Sequence, residues 1–125
     1  MKLSESDKKT LVLGASLNPS RYSNLAIRRL RSHHIEVEAV GLVAGVVDDV
    51  TILTGTPALE NIHTVTLYMR AERQAKLYDY ILSLKPSRII FNPGAENAAL
   101  AALAVQYNIE PLEACTLVML STGIY

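Results

Sequence analysis

The sequence predicts an α/β fold in which a doubly wound parallel sheet of about five strands lies between two layers of helices. Two observations predict it. Short apolar runs rich in β-branched residues alternate along the chain with longer segments whose apolar residues recur at helical spacing. The ends of these runs are separated by the length of a strand–helix unit, which is longer than a hairpin requires. Such alternation gives a three-layer fold with right-handed crossovers.

The strands are predicted from short apolar segments that end at glycine or at polar residues. Five are expected, in chain order, at residues 10–13, 35–42, 63–69, 88–91 and 109–114, with a further short candidate at 50–53. The first run ends at Gly14, as expected of a buried strand that enters a loop.

The helices are predicted from amphipathic or alanine-rich segments between those strands. They are expected at residues 23–30, 71–84 and 96–107, with shorter turns at 56–60 and 117–120. Pro57 suits the first position of a helical turn, and Pro86 ends the second helix.

Length and composition restrict the class of protein. The 125 residues are expected to form one domain, 1–125, with residues 1–8 as a loose tail. The 12 basic and 12 acidic residues cancel, which argues against a nucleic-acid or anionic-membrane binder. One cysteine excludes an internal disulfide and fits a reducing compartment, and no uncharged stretch approaches the roughly 18 residues of a membrane span. A cytoplasmic protein is therefore expected.

The loop after the first strand is the first candidate for ligand binding. Ligands of doubly wound sheets bind beyond the carboxyl ends of the strands, where the strand order reverses. This loop enters a helix through Ser20 or Ser23, both good N-caps, and the free N–H groups of a helix start attract phosphate. Ser16 and Asn18 can add polar groups, and Arg21 a positive charge. The glycine-rich nucleotide motifs are absent, so an ordinary strand–helix turn remains the alternative.

The end of the second strand argues against a nicotinamide dinucleotide. Such a cofactor calls for an acidic residue there to hold a ribose hydroxyl. The sequence has Gly41, Leu42 and Val43 at this position, whereas Glu36 and Glu38 lie at the start of the strand, at the opposite edge of the sheet.

Three further loops are expected at the same edge. Arg70 can reach a phosphate from across the sheet and Tyr68 can stack or hydrogen-bond, although Arg70 can equally pair with a nearby glutamate. Gly94 indicates a close backbone approach or a positive φ. Cys115 is most simply a small buried side chain, because a catalytic thiolate needs a basic neighbour and no histidine is predicted at these loops.

No catalytic set and no metal site is predicted. His33 and His34 are adjacent on a helix, so their side chains point about 100° apart. His63 begins a strand at the far edge, and no carboxylate pair or Ser-His-Asp set converges.

Four motifs in order carry a resemblance to a known family. They are Gly14-Ala15-Ser16 with Pro19 and Arg21, then Tyr68-Met69-Arg70, then Asn92-Pro93-Gly94 with Glu96 and Asn97, and finally Cys115. This order resembles the stand-alone CoA-binding domain family, small Rossmann-like proteins similar to the CoA-binding domain of the succinyl-CoA synthetase α subunit. The resemblance extends from about Lys8 to Tyr125.

The resemblance implies a role for each motif. The phosphate loop would be formed by Gly14, Ala15, Ser16 and Pro19, with Arg21 and Ser23 at its exit. The adenosine would be flanked by Gly41, Leu42 and Val43. The opposite wall would be formed by Tyr68, Met69 and Arg70, and the floor by Asn92, Pro93 and Gly94, with the ligand's tail directed towards Asn92 and Cys115.

Residues and resemblance together favour non-catalytic binding of coenzyme A, an acyl-CoA or a related adenine nucleotide. One alternative is an NAD(P)-binding oxidoreductase-type protein or subunit. Another is a scaffold protein with a vestigial nucleotide site, which an exposed apolar surface at residues 41–47 would favour. The expected partner is a small nucleotide ligand, and a homodimer is compatible with a domain of this size.

Overall fold

In the computed structural model, which describes residues 3–125, the strands form one seven-stranded sheet. They are β1 (Thr10–Ala15), β2 (Val37–Gly41), β3 (Gly45–Val47), β4 (Val50–Leu53), β5 (Thr64–Leu67), β6 (Arg88–Phe91) and β7 (Glu110–Glu113). Their order in the sheet is β3-β4-β2-β1-β5-β6-β7. All neighbouring strands are parallel except β3, which is antiparallel to β4.

This order confirms the predicted doubly wound, Rossmann-like sheet. From β1 the chain builds outward through β2 and β4, and then returns to the other side of β1 to add β5, β6 and β7. The direction of winding therefore reverses between β1 and β5, and the carboxyl ends of these two strands form the switch point.

The predicted strand count of about five is too low. The short candidate at residues 50–53 is β4, which pairs with β2. The sequence analysis missed β3, a three-residue strand that pairs with β4 across a two-residue turn. Asp48 in that turn has φ 56°, a conformation that aspartate tolerates better than most residues.

Helices cover both faces of the sheet. They are α1 (Tyr22–Ser32), α2 (Ala71–Gln74), α3 (Tyr78–Ser83), α4 (Ala98–Gln106) and α5 (Thr116–Ser121). On one face Val12 of β1 packs in a cluster with residues of α1 and α5. On the other face Leu11 and Leu13 pack with residues of α3 and α4. The alternation along β1 thus divides its side chains between two cores.

Several predicted helices differ from the observed ones. Residues 56–60 form no helical turn, because this segment is an irregular crossover whose Leu59 packs against the core beside α3. The predicted helix 71–84 is divided into α2, a 3-10 turn at Ala75–Leu77 and α3. The predicted closing turn at 117–120 is the helix α5.

The described part of the predicted loose tail makes contacts with the domain. Residues Glu5–Asp7 form a 3-10 turn, and the carboxylate of Glu5 lies 2.6 Å from Nδ1 of His33. The Nζ of Lys8 donates to the backbone oxygen of Tyr125 at 2.8 Å. Residues 1 and 2 of that tail lie outside the described residues.

A buried polar group lies where the sheet meets residue 125. Arg88 is 7% exposed, and its Nε donates to Oγ1 of Thr64 at 2.8 Å. The ring of Tyr125 covers the guanidinium, with 4.4 Å from Cζ to the ring centroid. The Tyr125 hydroxyl is hydrogen-bonded to Thr10, and burial raises its pKa. One terminal nitrogen of Arg88 has no hydrogen-bond partner among residues 3–125.

The stability of the protein depends on the protonation of His63, which is partly buried. Partial burial, followed by the charges of Arg88 and Lys8, lowers the pKa of His63 from its ordinary value of 6.5. The unfolded chain therefore binds a proton at a higher pH than the folded protein does, and stability falls as the pH drops through about 6.5. We expect urea unfolding at about pH 7.5 and 5.5 to show a smaller loss of stability for His63→Asn than for the wild type.

The control is His34→Asn, at an exposed position with φ 62° that suits asparagine. It should retain the wild-type dependence on pH. If His63→Asn lost as much stability as the wild type between these two pH values, His63 would not be the source of the pH dependence.

Candidate functional site

A cavity of about 540 Å³ opens at the carboxyl edge of the sheet, at the β1/β5 switch point. Its lining comes from the loop after β1, the ends of β2 and β4, the end of β5 and the 3-10 turn between α2 and α3. The lining residues are Leu13, Gly14, Ala15, Ser16, Leu17, Asn18, Arg21, Ser23, Val40, Gly41, Leu42, Val43, Gly55, Thr56, Tyr68, Met69, Arg73, Lys76 and Leu77.

Two glycines allow the loop after β1 to lie close to its neighbours. Gly14 has φ 96°, and a Cβ there would lie 2.7 Å from the backbone oxygen of Tyr68. A Cβ on Gly41 would lie 2.2 Å from the backbone oxygen of Ala15. At each position a backbone oxygen of a neighbouring segment occupies the space that a Cβ would need, so glycine is required at both.

Hydrogen bonds within the loop fix its shape. The N–H of Asn18 donates to the hydroxyl of Ser16 at 3.1 Å. Both the N–H and the hydroxyl of Ser20 donate to Oδ1 of Asn18, at 3.0 and 2.8 Å. These Asx-type contacts stabilise the turn itself. None of them caps the first N–H groups of the helix that follows.

The amino terminus of α1 is left without a cap. The predicted N-cap at Ser20 or Ser23 is wrong, because Arg21 occupies that position and its side chain makes no capping bond. Asn24 donates its N–H to the backbone oxygen of Arg21, but the N–H groups of Tyr22 and Ser23 have no partner among residues 3–125. Two free donors therefore lie at the positive end of an 11-residue helix.

A second set of contacts attaches the loop to α1. Nδ2 of Asn24 donates to the backbone oxygen of Ser16 at 2.9 Å, and Nε of Arg28 donates to Oδ1 of Asn24 at 2.9 Å. Asn24 is 3% exposed. Sequence reasoning missed this residue, although an asparagine among the apolar residues of an amphipathic helix signals a specific polar contact.

Three positive charges and no carboxylate line the cavity within residues 3–125. Arg21 precedes α1, whereas Arg73 and Lys76 come from α2 and the turn that follows it. Sequence reasoning missed Arg73 and Lys76. Their three-residue spacing on a predicted amphipathic helix put them on one face, but only the fold shows that this face borders the cavity.

Exposed apolar side chains form the wall beyond β2. Leu42 is 75% exposed and Val43 is 64% exposed. The position after β2 therefore carries no acidic group, and Glu36 and Glu38 pair with Lys9 at the opposite edge of the sheet.

The structure does not bring every predicted site residue to the cavity. Those outside its lining are Pro19, Arg70, Asn92, Pro93, Gly94 and Cys115. Asn92 is 2% exposed, and its side chain is fully used within the protein. Its Nδ2 donates to Oγ1 of Thr66 and the backbone oxygen of Leu67, and its Oδ1 accepts from the N–H of Thr116. Asn92 therefore joins β5, β6 and α5.

Tyr68 lines the cavity and has a buried hydroxyl. Burial raises its pKa, so the phenol is neutral at physiological pH. This hydroxyl has no hydrogen-bond partner within the described residues 3–125, whereas the hydroxyls of Thr66 and Thr116 bond to each other. Cys115 is the half-buried N-cap of α5.

Residues 3–125 contain neither a cluster of metal ligands nor a membrane-spanning helix. No three His, Cys, Asp or Glu side chains there converge as metal ligands would. None of the helices described over this range is long and apolar enough to cross a membrane.

Comparison with known families decides which family this fold represents. A model of the family described as CoA binding domain matches residues 8–121. The chain belongs to the CoA-binding domain family. The resemblance drawn from the four motifs is therefore confirmed at the level of the family.

Solved structures agree with the fold of this CoA-binding domain. A crystal structure of an uncharacterized protein shares 49% identity over 94% of this chain and 98% of its own, with a TM-score of 0.92. A hypothetical protein from Pyrococcus horikoshii OT3 shares 17% identity over 96% and 92%, with a TM-score of 0.83. A Thermus thermophilus protein shares 16% identity over 97% and 93%, with a TM-score of 0.81. No curated protein sequence matches the chain.

Proposed function

We propose that this CoA-binding domain binds coenzyme A or an acyl-CoA in the cavity at the carboxyl edge of its sheet, without catalysing a reaction. The uncapped amino terminus of α1, within a cavity that contains positive charges and no carboxylate, is the observation that carries this proposal. Such an end binds phosphate because its free N–H groups and its dipole both favour an anion.

The diphosphate of the ligand is assigned to the loop after β1. The N–H groups of Tyr22 and Ser23 would donate to it, and Arg21 would add a charge-assisted bond. The asparagine and serine contacts within the loop hold these donors in place before the ligand arrives, which reduces the entropic cost of binding.

The adenosine is assigned to the apolar side chains after β2. Leu42 and Val43 are exposed at the cavity, and covering them with a planar base would remove apolar surface from water. The tail of the ligand would then leave past Met69 at the end of β5. From there the tail would extend into solvent, because the cavity opens at the edge of the sheet.

The proposal assigns no chemical step to the domain. The cavity lining contains no histidine, cysteine or carboxylate among residues 3–125, so the commonest general bases and the thiol nucleophile are missing from it. Catalysis would therefore come from a separate protein that uses the bound thioester.

The nicotinamide alternative is less well supported. A dinucleotide site holds its adenosine ribose through an acidic residue after the second strand, and Leu42 stands there. The scaffold alternative has one observation in its favour, since Leu42, Val43 and Val46 are all more than half exposed. A second copy of the chain could cover that surface.

A panel of ligands separates these functions. We expect coenzyme A or acetyl-CoA to raise the melting temperature, because a ligand at 100 times its dissociation constant adds about 2.7 kcal/mol. NAD, NADP and ATP should have smaller effects. No shift with any of the five, combined with a dimer in sedimentation, would favour the scaffold instead.

Substitution of Arg21 tests the phosphate loop. Arg21→Ala should weaken coenzyme A binding by about 1.5–3 kcal/mol in calorimetry, because it removes a charge-assisted phosphate contact. The matched control is Arg29→Ala, an exposed arginine in the last turn of the same helix. It should leave the affinity unchanged. Equal effects of the two substitutions would mean that Arg21 acts only through net charge.

A further inference from the structure

The positive charges of the cavity belong to opposite faces of the sheet. Arg21 begins α1, whose Ile27 and Leu30 pack in one core cluster. Lys76 lies in the turn before α3, whose Ile81 packs in the other cluster. The two positive charges therefore border the cavity from different sides. The cavity therefore has two separate positions for anionic groups.

The Lys76 position lies beside the crossover that follows β4. Tyr80, one turn after Lys76, donates its hydroxyl to the backbone oxygen of Pro57 at 2.7 Å. Thr56, next to Pro57, lines the cavity together with Lys76. This contact places Lys76 and Thr56 at the same corner.

That corner is on the adenosine side of the cavity. The strand β4, which leads to Thr56, is the neighbour of β2, which leads to Leu42 and Val43. The diphosphate loop follows β1, on the other side of β2. An adenosine over Leu42 and Val43 would therefore direct its ribose between the loop and Lys76.

Lys76 is available to a ligand. It is exposed, and it has no salt bridge to a carboxylate among residues 3–125. Its ammonium group and the Thr56 hydroxyl are both hydrogen-bond donors, which suits an anion with several oxygens.

We propose that Lys76 and Thr56 form a separate subsite for a phosphate on the ribose of the bound adenosine, so that the cavity prefers nucleotides phosphorylated on the ribose to those that carry a diphosphate alone. This inference rests on the proposed function and adds a specificity-determining residue that the sequence did not indicate. Arg73, one turn earlier, also lines the cavity and adds to the positive potential.

Calorimetric titration with coenzyme A and with dephospho-CoA, which lacks only the ribose phosphate, tests the inference. The wild type should bind coenzyme A about tenfold or more tightly than dephospho-CoA, the ratio expected of one charge-assisted contact. Lys76→Met should reduce the affinity for coenzyme A by a similar factor, and it should change the affinity for dephospho-CoA by less than about twofold.

Lys85→Asn is the matched control. It removes the same charge at the opposite edge of the sheet, at a residue with φ 51° where asparagine is tolerated. It should retain the wild-type preference.

Two results would overturn the inference alone: equal wild-type affinities for the two ligands, or an equal loss for both in Lys76→Met. If the wild type bound neither ligand, the proposed function would fail together with the inference. Melting curves of each variant without ligand would show that the loss does not come from unfolding.

Discussion

Gly14→Ala should lower the free energy of unfolding by about 2–5 kcal/mol. A non-glycine residue at φ 96° costs about 1–2 kcal/mol. The added Cβ would also lie 2.7 Å from the backbone oxygen of Tyr68, so β1 and β5 would have to separate at the switch point, at a further cost of about 1–3 kcal/mol. Urea unfolding measures the loss. The folded fraction should also bind coenzyme A less tightly, because the loop after β1 moves with Gly14.

Gly94→Ala separates the cost of the positive φ from the cost of the contact with Tyr68. Gly94 has φ 91°, close to that of Gly14, but a Cβ there would meet no atom within 4 Å. Its substitution should cost only the backbone term, about 1–2 kcal/mol, and should leave binding unchanged. Equal losses for the two variants would show that the approach of Tyr68 does not require Gly14.

Asn92→Leu should be comparably destabilising, by about 2–6 kcal/mol. The asparagine amide donates to Thr66 and to the backbone oxygen of Leu67, and it accepts from the N–H of Thr116. Leucine would remove these bonds. The hydroxyl of Thr66 would keep its bond to the hydroxyl of Thr116, but the backbone oxygen of Leu67 and the N–H of Thr116 would lose a buried partner, and each such loss costs about 1–3 kcal/mol. Urea unfolding and coenzyme A titration should be measured together.

The control for this variant is Glu113→Gln, at an exposed position of β7 near the same edge, which should change stability by no more than about 0.5 kcal/mol. Asn92→Leu should reduce stability much more than it reduces the affinity of the folded protein. A small loss of stability with a large loss of affinity would instead indicate that Asn92 contacts the ligand.

The architecture could be predicted because each βα unit has a pattern of apolar residues that is recognisable from the local sequence alone. The buried run at residues 10–13 and the alternation of apolar and polar residues at 35–42 needed no tertiary information. The strand β3 could not be predicted in this way, because Gly45, Val46 and Val47 are extended only through pairing with β4. The helical turn predicted at residues 56–60 is wrong because the local pattern suggested a helix where the chain is irregular. Leu59 packs against the core from this irregular segment.

The candidate site could be predicted where it depends on strand ends. Gly14, Ser16 and Gly41 line the cavity because they end or follow β1 and β2. Lys76 lines it through the packing of α3 against the crossover, which no local pattern encodes. Asn92 lies at the same edge of the sheet. Its structural role could not be predicted, because its hydrogen-bond partners Thr66 and Thr116 are brought together only by the fold.

In the proposed function, the amino terminus of α1 receives the diphosphate of coenzyme A. Titration of ¹⁵N-labelled protein with coenzyme A, followed through the amide resonances, tests it most directly. We expect the largest shifts at Tyr22 and Ser23, whose N–H groups have no partner among residues 3–125, and small shifts around Ser87 and Asn108 at the opposite edge. Saturable binding that leaves the Tyr22 and Ser23 amides unchanged, or that shifts the opposite edge instead, would contradict it.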